Sequence, residues 1–391
     1  MVHLLLIVIY ISFISLGLPD ALLGSAWPVI HQQFGVAVSR AGVITAIISA
    51  FTVISSLASE RIVFKLGAGK VAAISTALTA AALFGFAASD SLLMMCLMAV
   101  PYGLGAGSID ASLNNYVAVN YASSHMSWLH CMWALGAAAG PYIMGFVLAN
   151  GMVWNRGYIT VGAVQALLAA ALFMALPLWK KVAASTAAKR KGTEEHTEKT
   201  QPMKLKEVIS LKGAKAVMLT FFCFCTVEQT ALVWAASYFA MGHGLSADKA
   251  AVFGAACITG EMLGRFLCGF LTYKFSDVQL IRAGQALIVA GSVIMLLPFG
   301  AYSAFAGIFV AGLGIAPIYP CLMHMTPVNF GEDKSQAVMG VQTASACLGC
   351  CVAPPVFGFV AQRTTMLILP VVMIAGTFVM WRAHEKLVKK Q

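Results

Sequence analysis

Charge is what this sequence has least of. Of 391 residues, 10% are Asp, Glu, Lys or Arg, against 60% that are hydrophobic, and the mean hydropathy is +0.85. Soluble domains carry about a quarter charged residues. A chain this poor in charge cannot cover its apolar side chains with a polar surface in water, so a multi-pass membrane protein is expected. Other absences narrow the function. No Gly-rich loop ends in Lys-Ser or Lys-Thr, so no ATP site is visible. No serine-nucleophile motif and no zinc spacing occurs, and an enzyme is not expected. The ten cysteines lie mostly in apolar runs, and neither Cys223/Cys225 nor Cys350/Cys351 has His or Cys at metal-ligand spacing. They read as small packing residues, with no metal or organic cofactor implied. The N-terminal run stays apolar past Leu18 without a small-residue cleavage region, so it is expected to remain as the first membrane helix. The net charge of +10 does not point to nucleic acid. Much of it lies between Lys180 and Lys215 or at the C-terminus, beside apolar runs.

What the sequence has in abundance is apolar runs long enough to cross a bilayer, which takes about 20 residues in a helix. They fall near 4–30, 41–60, 70–88, 91–118, 126–149, 157–179, 214–240, 250–272, 280–299, 303–326, 336–360 and 365–383. The polar stretch 180–212, with "KRKGTEEHTEK", divides six from six. The expected organisation is a six-helix bundle over 1–179, a cytoplasmic linker over 180–212 and a second six-helix bundle over 213–391. If both termini are cytoplasmic, inside segments hold twenty Lys and Arg and outside ones only Arg40, Arg156, Lys249 and Arg363. That bias sets the expected orientation.

The halves repeat. A shift of 209 residues lays Gly35, Arg40 and Ala41 on Gly244, Lys249 and Ala250, and "GLG" at 103–105 on "GLG" at 312–314. A shift of 213 lays "LGAAAGPYIMGFV" (135–147) on "LGCCVAPPVFGFV" (348–360). Twelve helices in two related sets of six is a transporter architecture whose substrate site lies near the membrane midplane.

Polar residues inside such spans carry the functional argument. In "GLGAGSIDASLNNYVAV" (103–119), Gly103, Gly107, Asp110 and Asn114 share one helix face. The glycines admit a close neighbour, and the polar pair then faces the bundle interior. An Asp at the centre of a helix costs about 2.5–3.5 kcal/mol on insertion scales. Asp110 is therefore either a hydrogen-bonded structural carboxylate or a carboxyl that gains and loses a proton. Asp20 follows Pro19, which loosens the helix ladder and frees a carbonyl. His130 and Trp133 share a face with Gly140. His130 is either a structural hydrogen-bonding residue or a solute- or proton-linked one, and Trp133 either packs or stacks on a sugar ring. In the second half, Glu228 and Gln229 fall opposite Pro19 and Asp20, and Gln285, Tyr319, His324 and Gln342 interrupt other spans. Of these, Asn114, Glu228, Gln229, Tyr319 and Gln342 join His130 and Trp133 as candidate substrate contacts. Glu261 and Arg265, four apart, are expected to neutralise one another as a salt bridge or gate clasp.

The whole chain resembles the major facilitator superfamily. The loop "ASERIVFKLGAGK" (58–70) is similar to that family's loop between its second and third helices, keeping a Glu-Arg pair, Gly67 and Lys70. Within it, "PDALLGSAW" (19–27), the fourth-span stretch and "LHCMWALGAAAGP" (129–141) resemble the fucose–galactose–glucose:proton symporter family, in its glucose-permease branch. His130 and Trp133 stand where fucose-type members carry amides, which speaks against fucose itself. The resemblance implies an all-α membrane fold of two pseudo-symmetric six-helix bundles. It also implies a relay in which Asp20 and Asp110 couple proton movement to substrate.

The expected function is therefore proton-coupled transport of a small polar solute, foremost a monosaccharide, by a monomer in a bacterial inner membrane, working by rocker-switch alternating access. The expected partners are the solute and the lipid bilayer, with no nucleic acid. Sodium stays open as the coupling ion, because a carboxylate beside Asn also suits a cation. Proton-driven export of drugs or metabolites, and a non-transporting receptor or scaffold, are the alternatives.

Overall fold

The computed structural model describes residues 2–37, 40–182 and 202–389. Its helices run α1 Val2–Gly17, α2 Leu22–Gln33, α3 Ala41–Leu66, α4 Ala68–Ala87, α5 Leu92–Asn120, α6 Ser123–Ala149 and α7 Asn155–Met174. From residue 202 onward come α8 Leu205–Ser210, α9 Ala214–Ser237, α10 Ala247–Gly254, α11 Ala256–Leu271, α12 Asp277–Met295 and α13 Gly300–Ile315. The chain closes with α14 Ile318–His324, α15 Thr326–Phe330, α16 Glu332–Arg363 and α17 Leu369–Val388. No strand occurs among the described residues. Joined across their short breaks, these helices give twelve segments long and apolar enough to cross a membrane, within a few residues of the expected spans. Large apolar side chains such as Leu93, Phe146 and Leu167 are exposed, as lipid-facing residues are.

Local chemistry explains the ends and breaks. Pro19 has no N–H, and the Asp20 and Leu22 amides reach back only three residues, to Gly17 and Pro19, so the first span is split into α1 and α2. The run "APIYP" divides the tenth span at 316–317, which periodicity alone did not indicate. The span 250–272 is likewise split, between Gly254 and Ala256, and α9 ends in a π-helical turn at Tyr238–Gly242. At α12, "SDVQ" forms a capping box: the Gln279 amide donates to Ser276 Oγ at 3.3 Å, and the Ser276 amide to Gln279 Oε1 at 3.0 Å.

Two compact units form. One holds residues 1–116 and 129–203, the other 117–128 and 204–391. Much of the expected linker, 183–201, lies outside the described residues. Its far end is ordered as α8, and the Met203 amide donates to Glu60 Oε2 at 3.0 Å.

The repeat read from sequence is present in the packing of each unit. Gly103 of α5 faces the Ile48 carbonyl, 2.3 Å from where a Cβ would sit; Gly312 of α13 faces the Cys257 carbonyl at 2.2 Å. Both members of the pair are displaced by the same 209 residues (103 to 312, 48 to 257). Gly105 against Ser75 and Gly314 against Gly284 repeat the relation, at 2.8 and 2.5 Å. Gly35 and Gly244 both turn the chain at φ +62° and +68°, a region where a Cβ is costly. Between α3 and α5 the close approach is reinforced: Thr52 and Ser56 hydroxyls donate to the Gly103 and Gly107 carbonyls, each at 3.3 Å.

Candidate functional site

The split in the first span creates the site in the first unit. Where α1 ends, α6 comes close enough that the Ile14 and Leu18 carbonyls stand 2.1 Å from the Cβ positions of Gly136 and Gly140. The glycine-rich "GAAAGP" run is what permits this. It brings Trp133, on the same helix, beside Asp20 in the turn between α1 and α2. Trp133 Nε1 donates to Asp20 Oδ2 at 3.0 Å, and the Tyr102 hydroxyl of α5 donates to Asp20 Oδ1 at 3.0 Å. Both donors are neutral.

Asp20 is exposed to a cavity of about 190 Å³, lined also by Thr45, Ser49, Phe86, Tyr102 and Tyr158. At ~30 Å³ per water, this has room for roughly six waters. The Tyr158 hydroxyl is buried and has no hydrogen-bond partner among the described residues. Phe86 packs against both tyrosines, with ring centroids 6.2 Å from Tyr102 and 5.7 Å from Tyr158. The wall therefore combines an aromatic surface, hydroxyls and one carboxylate.

A second polar group lies further along α5. Asn114 Nδ2 donates to Asp110 Oδ1 at 2.9 Å and to its carbonyl at 3.0 Å. Asn114 Oδ1 meets His130 Nε2 at 3.0 Å. Asn114 is fully buried and His130 nearly so, with Phe13 edge-on to the imidazole at 5.5 Å. Tyr102, which holds Asp20, precedes Asp110 by eight residues, about 12 Å along the helix axis at 1.5 Å per residue. The two carboxyl groups thus belong to different levels of one unit.

The remaining candidates lie in the second unit. Glu228 of α9 joins Glu261 and Arg265 of α11 in one buried cluster. Gln342 exchanges hydrogen bonds with Thr326, at 2.9 and 3.1 Å, and is fully buried. Tyr319 packs edge-on to Phe221 at 5.2 Å. His324 Nδ1 lies 2.7 Å from Asp277 Oδ2. Gln229 is half-buried. Tyr102 and Tyr158 were not singled out from sequence; the available signal for Tyr102 was a phenol next to Pro101 in an otherwise Leu- and Met-rich run.

The pattern of the Major Facilitator Superfamily matches residues 9–354. The chain belongs to that superfamily. As a major facilitator it is a multi-pass membrane transporter and not an enzyme. A protein described as "Uncharacterized transporter y4wD", from Sinorhizobium fredii, is 24% identical over 348 residues, covering 87% of this chain and 86% of its own. The fold is shared with solved structures. The transporter FucP in its outward conformation gives a TM-score of 0.77 at 15% identity, covering 97% of this chain and 98% of that one. The proton:xylose symporter XylE, bound to 6-bromo-6-deoxy-D-glucose, gives 0.78 at 13% identity, covering 96% and 94%. At these identities the likeness to this major facilitator is one of fold.

Proposed function

We propose that this chain is a proton-coupled symporter of a monosaccharide or closely similar polyol. One observation carries the reading: Asp20 opens to a cavity and is held by two neutral donors. A carboxylate clamped by Arg or Lys would stay ionised through a transport cycle. One held by Tyr102 and Trp133 can take up a proton when solute displaces water. The aromatic and hydroxyl-bearing wall suits a ring with one apolar face and many hydroxyls. Asp110, with Asn114 and His130, serves as the second proton station, exchanging with the cytoplasm while Asp20 couples to solute. The site is exposed alternately to the two sides of the membrane, and both termini are cytoplasmic, as the Lys and Arg distribution favours. The fucose:proton symporter and the proton:xylose symporter that share the fold lend support of the same kind.

Proteoliposomes test this directly. With an inward proton gradient and no sodium, a radiolabelled monosaccharide from a panel of hexoses and pentoses is expected to accumulate, and a protonophore to abolish the accumulation. Accumulation that requires sodium, or gradient-driven efflux of lipophilic cations with no sugar flux, would replace the reading by sodium coupling or by drug export.

Tyr102→Phe removes one donor to Asp20 without altering shape. A hydrogen bond to a charged group contributes about 1.5–3 kcal/mol. The variant is expected to shift the pH profile of uptake toward alkaline values, since the ionised carboxylate loses support and protonates more readily. An unchanged profile would remove Tyr102 from the coupling scheme.

A further inference from the structure

The second unit contains two acids and one base that the transport scheme leaves unused. Arg265 Nη2 lies 3.2 Å from Glu228 Oε1 and also bonds Glu261 Oε1. The exposures of Glu228, Glu261 and Arg265 are 8%, 3% and 4%. With both acids ionised, two negative charges would face one guanidinium where there is little water to screen the surplus. A proton on one of the two carboxyls removes that surplus and leaves a single carboxylate opposite the guanidinium.

The surroundings do not supply a compensating charge. The other titratable groups beside the acids are the thiols of Cys225 of α9, Cys257 of α11 and Cys350 of α16. One turn along α9, Phe224 packs on Tyr319 of α14. Thiols and phenols are neutral near pH 7. On α17, which also packs against α9, the ionisable pair His384 and Glu385 lies beside Arg282 of α12. Among the described residues facing the two acids in this unit, Arg265 is the one that brings positive charge.

We propose that Glu228 and Glu261 share one bound proton at neutral pH, so that the Glu228–Glu261–Arg265 triad is a proton-binding site of the second unit, separate from Asp20 and Asp110. Nothing in this depends on the solute or on the coupling role of the aspartates. The site has no counterpart in the first unit, where the repeat places Thr52 and Ser56 at the positions of Glu261 and Arg265.

Infrared spectroscopy of the purified full chain reads the shared proton as the C=O stretch of a protonated carboxyl. In an Asp20→Asn, Asp110→Asn background at neutral pH, that band is expected to be present. It is expected to disappear when Glu228→Gln or, separately, Glu261→Gln is added, because each change leaves a neutral Glu–Arg pair. Both glutamines keep the shape of the side chain they replace, and two independent variants guard against the misfolding of one. No band in the background protein, or a band that persists in a folded Gln variant, overturns the proposal. Failure of sugar accumulation would leave the band where it is, so the two readings fail separately.

Discussion

Asp110→Asn is expected to abolish uphill solute accumulation in proteoliposomes while leaving solute exchange across the membrane at a measurable rate. Asn retains an oxygen at the Oδ1 position, so the 2.9 Å bond from Asn114 and its onward contact with His130 survive. What is lost is the ability to bind and release a proton. Each proton crossing about 100 mV supplies about 2.3 kcal/mol, enough for roughly 50-fold accumulation of a coupled solute. In the variant the ratio should fall to equality. Neutralising the residue also lifts the cost of an Asp within the span, so the folded protein should be recovered in at least wild-type yield. A variant that still concentrates solute against its gradient would show that the proton passes elsewhere.

The second large effect concerns packing. Gly107 would place a Cβ 2.2 Å from the Thr52 carbonyl, and Gly103 one 2.3 Å from that of Ile48; neither backbone atom can move aside without separating α3 from α5. Gly145 has nothing within 4 Å of the same position. In an unobstructed helix, Gly to Ala is stabilising by about 1 kcal/mol. Overpacking costs about 1–3 kcal/mol per site. Gly145→Ala should therefore raise the thermal midpoint, and the Gly103→Ala, Gly107→Ala double variant should lower it by several degrees or fail to fold. Equal responses at both places would mean that α3 and α5 are not in this contact.

Much of this was legible in the sequence because it follows from periodicity along one helix. The twelve spans, the weakness at Pro19, the Asp110–Asn114 pair and the glycine face of α5 depend on spacing within a segment. Partner choice between helices was not legible. Tyr102 meets Asp20 across 82 residues, and Trp133 meets it across 113. Those contacts depend on how far each helix is rotated about its axis, which the glycine contacts fix only once the neighbour is known. Glu228 likewise showed no sign of reaching Glu261 and Arg265, because its register against α11 is set by packing. The break at 316–317 had a visible signal in its prolines, but several other in-span prolines, such as Pro101 and Pro141, leave their helices continuous.

The carbonyl contacts that recur 209 residues apart have a consequence for how such a chain diversifies. The glycines that seat α5 on α3 have partners that seat α13 on α11, yet Asp20 corresponds to Gln229 and Asp110 to Tyr319. After duplication the joinery was inherited and the reactive groups were reassigned. A descendant of the same frame could therefore change its cargo through a handful of side chains without renegotiating how its helices meet.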